Sequence, residues 1–548
     1  MAAPPDLARP IGLALASLLV VAALLPPETS GTSFAGCAAL AALASILMAA
    51  SGRLPAAAVA VLVALPVLAL RARFAFAPGA AVEPVVLAVL AIGAGSAAHA
   101  SRRERLAGDL GLVLAACGAL IGARACYEGV WGLETMAAQM RAGAGTVPDA
   151  VAIAGRLSQG RAYAGHATPA GAGAWLAVAM GATAGIAAAA SGRRKLVASA
   201  ALAVQAAGLL ATRSLTAAGA LLVAVLLAGI SWRSKRLLAP AAALMAVVAI
   251  VAGLRAGQAL SRTSDDNPWR LRAGNVRIGL AMASDHPWLG VGPGGFGEEY
   301  PHYRRAGDNE SRHAHCLPVE TAAELGWLPG IVVSILFGAA FLGPIVALRA
   351  APPTERGLAI GLAAFAIHNL ADFTAYLPSL LFLACTVRGA LGPPASPMAV
   401  PRAWRAGWAI AVCACAAIGC AAGLSASAID GARQAAVEGD AARASLEAAR
   451  AARLAPWSAD AALLHARTLE SDPTRALAEA DRAVRRAPRR AGAHDVRGRL
   501  RARLGDVPGA FADFTLAAAL HPLRTEYADH AVQAAGALPR PPEPTSPR

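Results

Sequence analysis

Charge is scarce in this chain. Only 15% of its 548 residues are Asp, Glu, Lys or Arg, while 57% are hydrophobic. Mean hydropathy is +0.51. A water-soluble protein of this make-up would lack the polar surface to cover itself, so composition points to a multi-span membrane protein. Much of the apolar count is alanine, which barely favours lipid, so span boundaries are soft. Metal-ligand spacing is also missing: there is no CxxC pair and no His/Cys ligand pattern. Of eight cysteines, Cys37, Cys117, Cys385, Cys413, Cys415 and Cys420 sit inside apolar runs and read as small hydrophobes. Cys126 and Cys316 fall between runs, where no spacing supports a disulfide. No A-x-A-like cleavage site follows IGLALASLLVVAALL, so the first apolar run is expected to be an uncleaved span.

What the chain has instead is a series of apolar runs. They lie at roughly 11–26, 34–50, 55–70, 82–99, 107–123, 168–190, 196–212, 214–231, 237–254, 323–348, 356–372, 376–391 and 405–425. This predicts an all-α, polytopic membrane helical bundle of 12–13 spans over residues 1–425. The formal charge of +15 would raise nucleic acid as a partner in a soluble protein, but here the basic residues sit in short loops. With a cytoplasmic N-terminus, the cytoplasmic loops collect Arg53, Arg102, Arg103, Arg105, Arg193, Arg194, Lys195, Arg233, Lys235, Arg236, Arg349, Arg356, Arg388, Arg402 and Arg405. The short external loops hold only Arg71, Arg73 and Arg213. That is the positive-inside rule, and no nucleic-acid partner is expected. The two long connections, 124–167 and 255–322, then fall on the external face.

After about Ser425 the composition becomes rich in Ala, Arg, Asp and Glu. Pro456, Pro488 and Pro522 recur at intervals of a helix-turn-helix unit, and Ala476, Ala480, Ala483, Phe511 and Phe514 fall at helical spacing. This predicts a C-terminal α-helical repeat domain of tetratricopeptide type over 430–536. An odd number of spans would put it on the external face, where such repeats commonly receive extended partners. Residues 537–548, ending PRPPEPTSPR, read as a disordered tail.

Titratable groups concentrate in GDNESRHAHCLPVETAAELG, Gly307 to Gly326. Upstream, Pro268 to Ser284 is expected to form a helix capped at Asp266 or Asn267, presenting Arg270, Arg272 and Arg277. The following HPWLGVGPGGFG satisfies G-x-G-x-x-G through Gly290, Gly292 and Gly295, but no strand–turn–helix surrounds it. A tight re-entrant turn is expected, not a nucleotide site. Glu320 and Glu324 are four apart on one face of a helix beginning near Leu317.

This order resembles the O-antigen ligase family of membrane glycan ligases and polymerases. The likeness is carried by the Arg-led helix, His286 to Phe296, His313-Ala314-His315 and Glu324-Leu325-Gly326. GRAYAGHATPAGAGAWLA, from Gly160, and HNLADFTAYLP, with His368 and Asp372 expected on one helical face, extend it over roughly 10–390. Departures are Cys316 where the family usually has Asn, Thr212-Arg213-Ser214 where Ser-Arg-Gly is frequent, and Val276 in place of an aromatic.

The resemblance implies a GT-C-like bundle that moves a glycan from undecaprenyl diphosphate to an acceptor hydroxyl at the periplasmic face of the bacterial inner membrane. It implies no metal, cofactor or ATP. His315 is expected to accept or orient the hydroxyl proton. Arg272, Arg213 and Arg270 are expected to hold the diphosphate. His313, Glu324, His368 and Asp372 are supporting candidates. The acceptor stays open between a glycan, a lipid and a protein, the last meaning protein O-oligosaccharyltransfer. A non-catalytic scaffold or exporter that recruits a protein partner through the repeats is the rival class.

Overall fold

A computed structural model describes residues 7–73, 75–101, 106–142, 150–260, 268–392, 398–469 and 471–538. The expected helix cap at Asp266 or Asn267, the loop arginines Arg102, Arg103 and Arg105, and residues 539–548 lie outside these. The chain is built of helices; a two-residue antiparallel pairing, Arg53–Leu54 with Met398–Ala399, ties two connections together.

The first half of the membrane bundle comprises α1 (Ala8–Leu24), α2 (Gly31–Ala50), α3 (Ala56–Arg73), α4 (Val82–Ala100), α5 (Leu106–Tyr127), the short α6 (Leu133–Ala142) and α7 (Ala150–Leu157), then α8 (Pro169–Ala189), α9 (Gly192–Thr212), α10 (Leu215–Ser231) and α11 (Leu238–Leu260). The second long connection forms α12 (Pro268–Asp285), α13 (Phe296–Tyr303) and α14 (Leu317–Leu325). Then come α15 (Trp327–Ala347), α16 (Pro353–His368), α17 (Pro378–Ala390) and the long α18 (Arg402–Val437). Among the described residues, eight helices are long and apolar enough to cross a membrane. The shorter apolar α1, α3, α10 and α17, together with α16, account for the remaining expected runs.

Helix starts follow local chemistry. Ser30, Thr168 and Ser214 each accept a hydrogen bond from a backbone N–H in the first turn of α2, α8 and α10. An alanine-rich bundle has few large side chains to interlock, so its helices approach backbone to backbone. On α8 a Cβ at Gly181 would stand 2.5 Å from the Gly357 carbonyl oxygen of α16. Helix α8 is buried along most of its length and forms the centre of the bundle. Its Thr183 hydroxyl accepts from Gln205 Nε2 of α9 at 2.9 Å, satisfying one polar pair in the apolar interior.

Two expectations change in detail. The connection after Arg124 is helical rather than irregular: α5 passes through a π-helical turn, Glu128–Gly132, into α6. Leu133, Ala137 and Leu157 pack there as a small apolar cluster. The expected run 323–348 is broken at Gly326 (φ 90°), which separates α14 from α15. The Trp327 N–H donates to the Pro287 carbonyl at 2.8 Å, so the re-entrant segment is wedged into this break.

That segment explains its glycines. Gly290, Gly292 and Gly294 all have positive φ. Val291 and Gly292 donate to the carbonyls of Ala323 and Glu324, and Val291 accepts from Phe76. The turn thereby lies between α14 and the segment following α3.

Beyond α18, the chain forms α19 (Ala441–Leu454), α20 (Ala459–Thr468), α21 (Pro473–Arg486), α22 (Ala491–Arg503), α23 (Val507–Leu520) and α24 (Thr525–Gly536). Consecutive helices pack on one another, with Pro456, Pro488 and Pro522 in their connecting turns. Asp440, Asp472 and Asp506 cap every second helix. The hairpins fold back onto the face that carries α12 to α14. Arg489 pairs with Glu299, Arg490 pairs with Glu298 at 2.9 Å, and the Gly79 N–H donates to the Arg486 carbonyl at 3.1 Å.

At Gly290 a Cβ would lie 2.3 Å from the Glu324 carbonyl carbon, and φ is +58°. Gly290→Ala is expected to destabilise the folded protein by about 1–3 kcal/mol or more. Gly338→Ala, where nothing stands within 4 Å, should change stability by no more than about 0.5 kcal/mol. Thermal melts in detergent compare the two; equal melts would contradict the wedge.

Candidate functional site

The site forms where four separate connections meet on one face of the bundle. They are the loop between α7 and α8, helix α12, the His313–Cys316 turn and the loop between α16 and α17.

The α16–α17 loop is organised by Asn369. Its side chain donates to the Phe365 carbonyl at 2.8 Å and accepts from the Ala375 N–H at 2.7 Å. Its backbone carbonyl accepts from Leu317 N–H at 2.9 Å, which fixes the start of α14 against this loop. Asp372 projects from the loop and is almost completely buried. Helix α16 ends at His368, so His368 and Asp372 do not share a helical face as expected. A turn places Asp372 after the helix end instead, with Ala371 N–H donating to the His368 carbonyl.

Asp372 is the electrostatic centre. One carboxylate oxygen stands 3.6 Å from His315 Nδ1 and accepts from the Phe373 N–H at 2.9 Å. The other accepts from Arg272 Nη2 at 3.3 Å. Burial opposes ionisation, but His315, His368 and Arg272 outweigh it and hold the carboxyl well below the usual carboxylate range. His368 is buried and its Nδ1 lies 3.1 Å from the Thr374 hydroxyl.

His315 sits at φ 55°, in the left-handed region that an L-residue with a bulky side chain rarely occupies. The residue after it, Cys316, is extended and begins α14. With Nδ1 turned towards Asp372, Nε2 is the ring nitrogen left for an outside partner. Phe373 fixes the ring from the side, edge-on with centroids 4.8 Å apart. His313 stacks on the same phenyl ring at 4.4 Å and 8°. It also pairs with buried Glu320 at 2.6 Å, and Glu320 accepts from the Ala314 N–H at 3.0 Å. His313 and Glu320 thus brace the turn that presents His315.

Glu324 is buried one turn further along α14. It accepts from the Phe296 N–H and, at 3.3 Å, from the Tyr376 hydroxyl. Burial, with Glu320 nearby, pushes its carboxyl well above the usual range. It ties α14 to α13 and to the α16–α17 loop, in keeping with a supporting role.

The arginines separate into groups. Arg272 reaches Asp372 directly. Arg270 is exposed on the first turn of α12. Arg213 ends α9 at φ 48°, and its Nη1 donates to the Gln159 carbonyl at 3.1 Å, so it holds down the turn before α8. That turn carries Arg161, which has no local signature and is not among the sequence-derived candidates. Burial lowers the Arg161 pKa to about 10; the neighbouring charges of Arg255 and Arg272 add to this, while Asp372 opposes it. Arg161 thus shares an electrostatic neighbourhood with Arg272 and Asp372. Its Nε donates to the Thr212 carbonyl, and Glu128 clamps the same turn by accepting from the Tyr163 and Ala164 N–H groups at 2.8 and 2.7 Å. The arrangement is a half-exposed imidazole backed by a buried carboxylate, beside cationic guanidiniums. It can take a proton and hold a dianion at adjacent points.

The family model described as O-Antigen ligase matches residues 198–335, from α9 into α15. That stretch, about a quarter of the chain, is similar to the O-antigen ligase family. It contains Arg213, Arg270, Arg272, His313, His315 and Glu324, while Arg161, His368 and Asp372 lie outside it. No curated protein matches the chain.

The Asp372 charge favours folding at every pH above the ordinary carboxylate range, and that contribution is lost only as pH falls through its lowered pKa. Asp372→Asn should cost about 3 kcal/mol at neutral pH by leaving Arg272 without its buried partner. The deficit should persist at pH 5 and shrink only in stronger acid. Melting curves across pH measure it; a deficit that vanishes by pH 5 would contradict the lowered pKa.

Proposed function

We propose that this protein transfers a glycan from a polyprenyl diphosphate carrier to an acceptor hydroxyl at the outer face of the cytoplasmic membrane. The observation that carries this reading is the His315–Asp372–Arg272 constellation, with Arg161 beside it, in a chain whose O-antigen ligase match includes His315 and Arg272.

The acceptor oxygen attacks the anomeric carbon, and the bond from that carbon to the phosphate oxygen breaks. The diphosphate leaves with the bonding electrons. His315 Nε2 takes the hydroxyl proton, while Asp372 keeps Nδ1 protonated and stabilises the imidazolium that forms. Arg272 and Arg161 neutralise the departing diphosphate; guanidinium suits this because it stays charged and can grip phosphate through two N–H groups. The anomeric phosphate already carries the activation, so the step needs no nucleotide. Arg213, bonded to the Gln159 carbonyl, serves the reaction by holding the Arg161 turn, and Arg270 lies at the rim.

Orientation follows from charge. Arg193, Arg194, Lys195, Arg233, Lys235 and Arg236 lie at helix ends on the face opposite the site, which supports a cytoplasmic assignment for that face. Exposed Trp269 and Trp288 flank the site segment and suit the membrane–water boundary, where the diphosphate of a lipid carrier lies.

With purified protein and a polyprenyl-diphosphate-linked glycan, His315→Ala should lower diphosphate release about 10²–10⁴-fold. Arg272→Ala and Arg161→Ala should raise the donor KM and lower kcat. If His315→Ala retains wild-type turnover, His315 is not the base; if the wild-type protein itself releases no diphosphate, the transferase reading falls and a scaffold role takes its place.

A further inference from the structure

A cavity of about 900 Å³ lies between the helical hairpins and the outer face of the bundle. It is separate from the donor side of the site. His313, Glu324 and Tyr376 contribute to its floor, Trp457 and Tyr527 to its roof, and His315 is not part of its wall. The two spaces meet at one side chain: Phe373 stacks on His313 and meets His315 edge-on.

The roof is held in place. Arg490 bridges Glu298 of α13 and Asp460 of α20, both at 2.9 Å. A Cβ at Gly79 would lie 2.3 Å from the Trp457 carbonyl oxygen, so the segment after α3 closes against the roof with no room to spare. The Trp457 indole N–H is buried and has no hydrogen-bond partner. That N–H is sealed from solvent, so what Trp457 offers an occupant is its contribution to the roof rather than a donor.

The lining decides the class of occupant. Glu28, Glu83 and Asp430 face the same space, which disfavours a diphosphate or an acidic lipid headgroup. Arg312 and Arg467 supply donors between these acceptors. Interleaved acceptors and donors beside flat aromatic rings suit a chain of hydroxyls with apolar C–H faces. Helices and their connecting loops both contribute to the walls, and an extended polypeptide is the competing occupant that the binding test separates.

We propose that this cavity binds the acceptor as a saccharide chain, with its reactive end directed past Phe373 towards His315. The proposal rests on the transfer reading for the role of the bound chain, but not for the binding itself. The hairpins then form one wall of the acceptor site, and acceptor recognition is shared between the bundle and the C-terminal region.

The test uses full-length protein in nanodiscs and a free oligosaccharide, released by mild acid from the surface polysaccharide of the source cell. Saturation-transfer NMR reads binding without turnover. Trp457→Ala should weaken binding at least tenfold, and Trp457→Phe, which keeps a smaller aromatic face, should fall between. Melting curves confirm that both variants fold. In the transfer assay the acceptor KM should rise for both variants by factors that follow the binding loss.

Unchanged oligosaccharide affinity in folded Trp457→Ala would overturn the proposal. So would binding of an unstructured polypeptide at the cavity with none of the oligosaccharide. His315→Ala should bind the oligosaccharide as wild type does. Loss of turnover in that variant with intact binding supports both readings. Intact turnover with intact binding removes His315 as the base, and a wild-type protein that binds the oligosaccharide without any turnover removes the transfer reading; both leave the saccharide site standing.

Discussion

The buried negative charge of Asp372 is what the site is assembled around. A lone carboxylate at that depth would be neutral, because burial disfavours its ionised form. It stays charged because His315, His368 and Arg272 surround it from three different segments of the chain. Two of those segments are in turn pinned by their own bonds, Asn369 holding the loop and Glu320 the histidine turn, and Glu128 holds the neighbouring turn that carries Arg161. Carboxylates therefore do two kinds of work here. One set neutralises cations at the reacting centre, and another accepts backbone N–H groups to fix the loops that supply them.

The bundle beneath is suited to this by what it lacks. Alanine and glycine let α8 and α16 approach until their backbones touch. Close approach leaves little slack at the helix ends, so the connections between them emerge at defined positions. The re-entrant glycine turn uses the same economy, threading between α14 and the segment after α3 where any side chain would collide. A flexible, leucine-filled bundle could bury as much apolar surface without fixing loop positions so tightly.

Much of this was legible in the sequence. The helical runs were readable because lipid allows only helices to cross it, and hydrophobicity marks them directly. The spacing of Pro456, Pro488 and Pro522 marked the turns between the C-terminal helices, since proline cannot continue a helix. His315 and Arg272 were readable from local motifs. Arg161 was not: nothing in GRAYAGH distinguishes it, and its share in that electrostatic neighbourhood depends on how α7 and α8 bring it near Arg272 and Asp372. The shared helical face expected for His368 and Asp372 failed because apolar residues continue past the point where α16 ends, and Asn369 diverts the chain there. Gly326 likewise lay inside the single expected run 323–348, whereas a positive φ at that position was invisible without its neighbours.

His315 stands at φ 55° in a peptide link where glycine would sit without strain. On the proposed mechanism, backbone comfort and proton transfer favour opposite residues at that one position. His315→Gly would relieve the backbone at that residue, but it would take one partner from buried Asp372 and, on the proposed mechanism, remove the base. The turn thus sets local relief of the backbone against the proposed chemistry, and on that reading the more relaxed turn is the inert one.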